Sequence, residues 1–184
     1  REYLKTAWQP DLLCQAIRQF TAMQRSVESD IESLLALGVL DWRLDKLPQL
    51  YEQMISQGEF LKTEGITNKE LQTLRDLSPQ IAEEIESLSQ YQLPETIVQS
   101  DFHTNNILIQ SHTQKLTFID LGEVVITHPF FSLHTFLRQA IIHHGVKEGD
   151  QTYHQLQDTC LEHWLDLTAN KSLLEGFMLA KKLW

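Results

Sequence analysis

Apolar residues recur with a helical period along most of the chain. Leu13, Ile17 and Phe20 follow this period and predict a helix over about residues 11–28, with Asp11 as its N-cap. Further apolar stripes predict helices around residues 31–35, 47–55, 81–88, 131–141, 156–165 and 173–179. The pattern therefore predicts a mostly helical protein.

Polar residues, glycines and prolines predict where some of these helices begin and end. Thr67 and Glu70 have the spacing of a capping box, and Gly38 ends the short helix before it. Pro79 is a second start signal, because proline is favoured at the first helical position. The sequence leaves open whether residues 68–90 form one kinked helix or two.

The helical period breaks in the middle of the chain, where short runs of β-branched and aromatic residues occur. Residues 96–98, 107–109 and 116–119 read as strands. The last two flank a polar turn over residues 111–114, which predicts a hairpin. The predicted class is α+β, a single domain over residues 1–184 that is mostly helical with one small β hairpin.

Composition narrows the possible partners and the compartment. The chain has 15 Lys and Arg against 25 Asp and Glu, a formal net charge of −10, which disfavours nucleic acid and anionic membrane surfaces as partners. No apolar run approaches the length of a membrane span. Cys14 and Cys160 lie in apolar helical patterns, which predicts buried, reduced thiols in a cytoplasmic protein, with a disulfide as the alternative.

The β-rich segment also contains the residues that could take part in catalysis or bind a metal. Asp101 and Asn106 are separated by the spacing of the Asp and Asn in a kinase catalytic loop, and Asp120 begins an Asp-x-Gly sequence that ends at Gly122. Carboxylate and amide oxygens are ligands that Mg²⁺ accepts, and a carboxylate can take the proton of an attacking hydroxyl. We expect Gly122 to permit the turn that carries Asp120 out of its strand.

This segment resembles the catalytic core of the aminoglycoside phosphotransferase and choline kinase-like family, which shares the protein-kinase fold. Asp101, His103, Asn106 and Asp120 match the family pattern. The resemblance implies the C-terminal lobe of that fold and ATP-dependent transfer of a phosphoryl group to a hydroxyl of a small molecule. It implies Asp101 as catalytic base, Asn106 and Asp120 as Mg²⁺ ligands, and His103 as a support of the loop. The sequence does not identify the substrate-binding residues.

The chain departs from the family pattern in two places. Gln99 and Ser100 replace the usual His-Gly, and we expect Gln99 to support the loop through a hydrogen bond. No glycine-rich phosphate loop and no strand lysine occurs, so the N-terminal lobe that clamps the nucleotide is expected to be absent. Residues 1–184 alone should then bind ATP weakly, transfer phosphate negligibly, and self-associate through the surface where that lobe would sit.

A second function class remains open from the sequence. The departures at Gln99 and Ser100 and the missing lobe favour a degenerate kinase-like lobe that acts as a non-catalytic binding or interaction module. Glu123 is either a second metal or substrate group or a solvated acid beside the site. His128 and His134 are expected to be packing or surface residues, which makes a metal-dependent hydrolase on the histidines remote.

Overall fold

A computed structural model describes residues 9–110 and 112–184. The helices in this part of the chain are α1 Pro10–Ser26, α2 Ile31–Ala36, α3 Leu47–Ser56, α4 Gly58–Thr63, α5 Asn68–Ser89, α6 Phe130–His144, α7 Gln151–Leu161 and α8 Asn170–Leu183. The strands are β1 Leu40–Asp41, β2 Thr96–Gln99, β3 Ile107–Ile109, β4 Leu116–Phe118 and β5 Val124–Thr127. The predicted α+β class, mostly helical with little sheet, is confirmed.

The strands form two separate small sheets. The first has the order β1-β5-β2, with Leu40 of β1 parallel to Val125 of β5 and Val98 of β2 antiparallel to it. The second is the predicted hairpin, in which β3 and β4 pair antiparallel. The prediction of a single β element was wrong, because β1 and β5 form a sheet by pairing with residues that are far away in the sequence. Ser111, in the predicted hairpin turn, lies outside the described residues.

Helix α1 begins earlier than its periodicity predicted. Gln9 is the N-cap residue, Pro10 occupies the first turn, and Asp11 lies inside the helix. The prediction of Asp11 as N-cap was therefore wrong. Proline has the fixed φ of a helix and no N–H to satisfy, so it can begin the helix without a side-chain cap.

Helix α5 starts with the predicted capping box and then runs without interruption. The Glu70 N–H donates to Thr67 Oγ1 at 3.2 Å, and the Thr67 N–H donates to Glu70 Oε2 at 2.9 Å. Pro79 lies inside this helix, so the two-helix alternative is wrong. The lost hydrogen bond at Pro79 is tolerated within a long amphipathic helix that packs one face on α3.

The core lies between the helices that precede and follow the sheets. It is built largely from apolar side chains of α1, α6, α7 and α8 together with the strands. Cys14 and Cys160 are buried free thiols, as predicted, and burial raises the pKa of Cys160 well above its ordinary value. Across the described ranges, no helix combines the length and the apolar character needed to cross a membrane.

Candidate active site

The loop between β2 and β3 brings three predicted site residues together. His103 Nε2 lies 3.0 Å from Asp101 Oδ1. The Asn106 side-chain amide donates to Asp101 Oδ2 at 3.1 Å and to the Asp101 carbonyl at 3.0 Å. The Asp101 side chain remains 54% exposed. Its carboxylate is thus oriented by two neighbours and still accessible to a molecule from solvent.

His103 joins the Asp101 carboxylate to the turn that follows. The Asn105 N–H donates to His103 Nδ1 at 3.1 Å, at the start of a short 3₁₀ turn over Thr104–Asn106. Because Nδ1 accepts this bond, the neutral ring carries its hydrogen on Nε2, the atom that faces Asp101. The His103 side chain is only 17% exposed, so the ring is held in place by its surroundings.

Asp120 is brought beside Asn106 by the hairpin. The Ile119 N–H, one residue past β4, donates to the Asn106 carbonyl at 2.9 Å. The Asp120 side chain is exposed, and its carboxylate makes no hydrogen bond or ion pair with a described residue. Asn106 is buried, and its amide oxygen accepts no hydrogen bond from the part of the chain that the structure describes. Both residues therefore keep oxygen atoms that are not engaged within the protein.

The turn after β4 depends on Asp120 itself. Asp120 has a φ of +61°, in the left-handed region, and begins a 3₁₀ turn over Leu121–Glu123. Gly122 does not have a positive φ, so the prediction that its backbone freedom makes this turn was wrong. Asp is among the few non-glycine residues that adopt the left-handed conformation readily, and such positions cluster at functional sites.

Gln99 and helix α6 hold the loop between β2 and β3 and the Asp120 turn in place through hydrogen bonds. The Gln99 side-chain amide donates to the Asp120 carbonyl, which ties the end of β2 to the Asp120 turn. The Gln99 N–H donates to Ser132 Oγ at 2.8 Å, and Thr135 Oγ1 donates to the Ser100 carbonyl at 3.3 Å. The loop is thus fixed at two backbone positions to the same helix.

The sequence did not indicate that Ser132 and Thr135 support the loop between β2 and β3. They lie three positions apart on α6, among the buried Phe131, Leu133 and Phe136. Two small hydroxyl residues on an otherwise apolar helix face are a signal that could have indicated a polar contact there. The partner of that contact depends on the tertiary structure.

Phe102 anchors the loop in the core. Its ring is 2% exposed and stacks on Phe20, with ring centroids 4.1 Å apart, and on Phe136, at 4.7 Å. The ring of Phe118 meets it edge-on at 5.8 Å. Because Phe102 lies between Asp101 and His103, this aromatic cluster fixes the position of the residues on either side of it.

Two buried histidines lie near the start of α6, as expected for packing residues. Burial lowers the pKa of His128 to about 3, and the nearby His134 adds to this shift. Burial likewise lowers the pKa of His134 to about 4, although its Nε2 donates to the Phe177 carbonyl at 2.8 Å. Both rings are therefore neutral in the folded protein at neutral pH.

Because the pKa values of these two histidines are lowered, we expect the protein to lose stability in mild acid. Below the ordinary histidine pKa of 6.5, the unfolded chain binds protons that the folded chain does not, so the free energy of unfolding falls from about pH 6.5 towards pH 3–4. Each histidine should contribute a loss of about 2 kcal/mol between pH 7 and pH 5. Urea unfolding at both pH values measures this loss.

His134→Gln should remove about half of the histidine contribution to this pH dependence. Glutamine does not titrate, and its amide can donate to the Phe177 carbonyl. Gln151→Asn, which changes a side chain that does not titrate at an exposed position on α7, is the control and should leave the wild-type pH dependence in place. Equal pH dependence in wild type and His134→Gln would contradict the assignment.

The oxygen atoms at the site suit a hard cation that is shared with a phosphate. No group of three or more His, Cys, Asp or Glu side chains that could hold a metal occurs among residues 9–110 and 112–184. Asn106 and Asp120 offer one amide oxygen and one carboxylate. Mg²⁺ commonly takes only one or two carboxylates from the protein and completes its coordination with water and substrate phosphates.

No protein-family model matches the sequence, and no curated protein matches it either.

Proposed function

We propose that this protein is a phosphotransferase that moves the γ-phosphoryl group of ATP to a hydroxyl of a small molecule, and that its described part corresponds to the C-terminal lobe of a kinase-like fold. The observation that carries the proposal is the Asp101 carboxylate, half-exposed and oriented by His103 and Asn106. The mostly helical architecture with the hairpin next to this loop also supports it. The buried free thiols agree with a cytoplasmic location.

Asn106 and Asp120 are the residues that would hold Mg²⁺. The Asn106 amide nitrogen is engaged by Asp101, which leaves its oxygen for a cation. The Asp120 carboxylate is exposed and unpaired among the described residues, and Gln99 fixes its backbone. When bound, Mg²⁺ would offset the negative charge of the ATP phosphates.

Asp101 would act on the acceptor. Its carboxylate takes the proton of the acceptor hydroxyl as the hydroxyl oxygen bonds to the γ-phosphorus. The bond between that phosphorus and the β,γ-bridging oxygen breaks, and ADP leaves with the electron pair. His103 and Asn106 keep the carboxylate aimed at the hydroxyl, since each contacts a different one of its two oxygens.

In the complete protein, an Asp120→Ala variant should lose Mg²⁺-dependent nucleotide binding and phosphoryl transfer together. The substitution removes the one carboxylate assigned to the cation and leaves Asp101 in place. Calorimetric titration with ATP, with and without Mg²⁺, measures the binding. Asp158→Ala, which removes a carboxylate at an exposed position on α7, is the control and should retain binding.

The same titration separates the enzyme from a non-catalytic module. In the complete protein, Mg²⁺-dependent ATP binding that Asp120→Ala abolishes and Asp158→Ala retains supports the phosphotransferase. A complete protein that binds no nucleotide in the presence of Mg²⁺ would reject it and favour a binding or interaction module.

A further inference from the structure

An apolar cavity of about 490 Å³ opens next to the N-terminal end of α6, the helix that also supports the loop between β2 and β3. It lies between α3, α5, β5 and the facing parts of α6 and α8. The side chains that give it its character are Trp42, Tyr51, Met54, Ile81, Phe131 and Trp184. Its volume falls in the range of sites that enclose small organic ligands.

The lining indicates the charge of a ligand. None of the described residues around this cavity is charged, although the chain as a whole is rich in charged residues. An anion, or a cation that needs an ion pair, would lose its hydration there without gaining an opposite charge. Thr127 also lines the cavity, and its buried Oγ1 has no hydrogen-bond partner among the described residues. This chemistry suits a neutral, apolar molecule with few polar groups.

Hydrogen bonds connect the cavity wall to the loop between β2 and β3. Trp184 stacks on Phe131, with ring centroids 5.1 Å apart, and its Nε1 donates to Thr135 Oγ1 at 2.5 Å. Thr135 Oγ1 in turn donates to the carbonyl of Ser100, the residue before Asp101. A ligand in the cavity would therefore lie against the same helix that supports the loop.

We propose that this cavity binds a neutral, apolar small molecule. If the phosphotransferase function proposed above is correct, on which this extension rests, that molecule is the acceptor: its apolar part fills the cavity and Asp101 takes the proton of its hydroxyl. The acceptor class is then a neutral, hydrophobic alcohol and not a polycation.

The binding is tested with a neutral aromatic alcohol, 4-phenyl-1-butanol, titrated calorimetrically into the full chain. Met54→Glu places a carboxylate on the cavity wall at a position that is already 44% exposed, so folding should persist. We expect this variant to bind the probe at least about tenfold more weakly. Met178→Glu is the matched control on α8, 46% exposed and outside the cavity, and should bind like wild type.

A pair of isosteres tests the charge preference. Choline and 3,3-dimethyl-1-butanol have the same shape, but only choline is a cation. The neutral alcohol should displace 4-phenyl-1-butanol at a lower concentration than choline does. The opposite order would overturn the proposal, and so would equal probe binding by wild type and Met54→Glu. A wild-type chain that binds no probe and forms dimers that Met54→Glu dissociates would also overturn it, because the cavity would then be a contact between copies.

The outcomes for the cavity and for the proposed function are distinguishable. Probe binding that Met54→Glu weakens, in a protein that phosphorylates no alcohol, would reject the phosphotransferase and retain the cavity as a binding site. Phosphorylation of an alcohol that depends on Asp101, with a KM that Met54→Glu leaves unchanged, would retain the enzyme and reject the cavity as its acceptor site.

Discussion

In the complete protein, Asp101→Asn should reduce the turnover number for phosphoryl transfer by about 10²–10⁴-fold and leave Mg²⁺-ATP binding close to wild type. The substitution keeps the size of the side chain but only one of its two acceptor oxygens, so either His103 Nε2 or the Asn106 amide loses its hydrogen-bond partner. It removes the group that takes the proton of the hydroxyl. Steady-state kinetics with Mg²⁺-ATP and an alcohol acceptor, together with calorimetric ATP titration, measures both quantities.

The control for Asp101→Asn is Asp158→Asn, which makes the same change of charge at an exposed position on α7. It should keep wild-type turnover. If Asp101→Asn also keeps wild-type turnover, Asp101 is not the catalytic base. If it abolishes ATP binding as well, Asp101 belongs with the nucleotide and metal ligands and not with the acceptor.

Phe102→Ala should lower the free energy of unfolding by about 3–5 kcal/mol, a large share of the stability of an ordinary domain. The ring is almost completely buried and stacks between Phe20 and Phe136, so its removal leaves a cavity lined by aromatic faces. The variant should also lose activity at temperatures where it remains folded. Asp101 and His103, the residues on either side of Phe102, contact each other, and their positions depend on the ring. Urea unfolding followed by far-UV circular dichroism measures the change in stability.

Two further substitutions calibrate this result. Phe102→Leu keeps much of the buried volume and should cost less than Phe102→Ala. Phe60→Ala, at a side chain that is 60% exposed on α4, should change the free energy of unfolding by less than about 0.5 kcal/mol. A loss below about 1 kcal/mol for Phe102→Ala would show that the aromatic cluster does not anchor the loop.

Three of the site residues that the sequence predicted are close neighbours along the chain. Asp101, His103 and Asn106 contact one another because they lie within one loop, where residue type and spacing already restrict the geometry. The supports from α6 could not be predicted in the same way. Ser132 and Thr135 bond to backbone groups of β2 and its loop only because the helix packs there, and a serine or threonine has many possible partners.

The amino-acid sequence alone determined the features that depend on short-range interactions: the helical periods, the capping box at Thr67, and the β3–β4 hairpin. Each is stabilised by residues a few positions apart, so the pattern is visible in a short window. Tertiary structure decided what depends on distant residues. Strand β1 has two residues and exists only because it pairs with β5, and the left-handed Asp120 is held by Gln99 from another strand. The apolar cavity likewise forms where Trp42, Ile81 and Trp184 converge, and no local pattern encodes that convergence because packing of separate helices creates it.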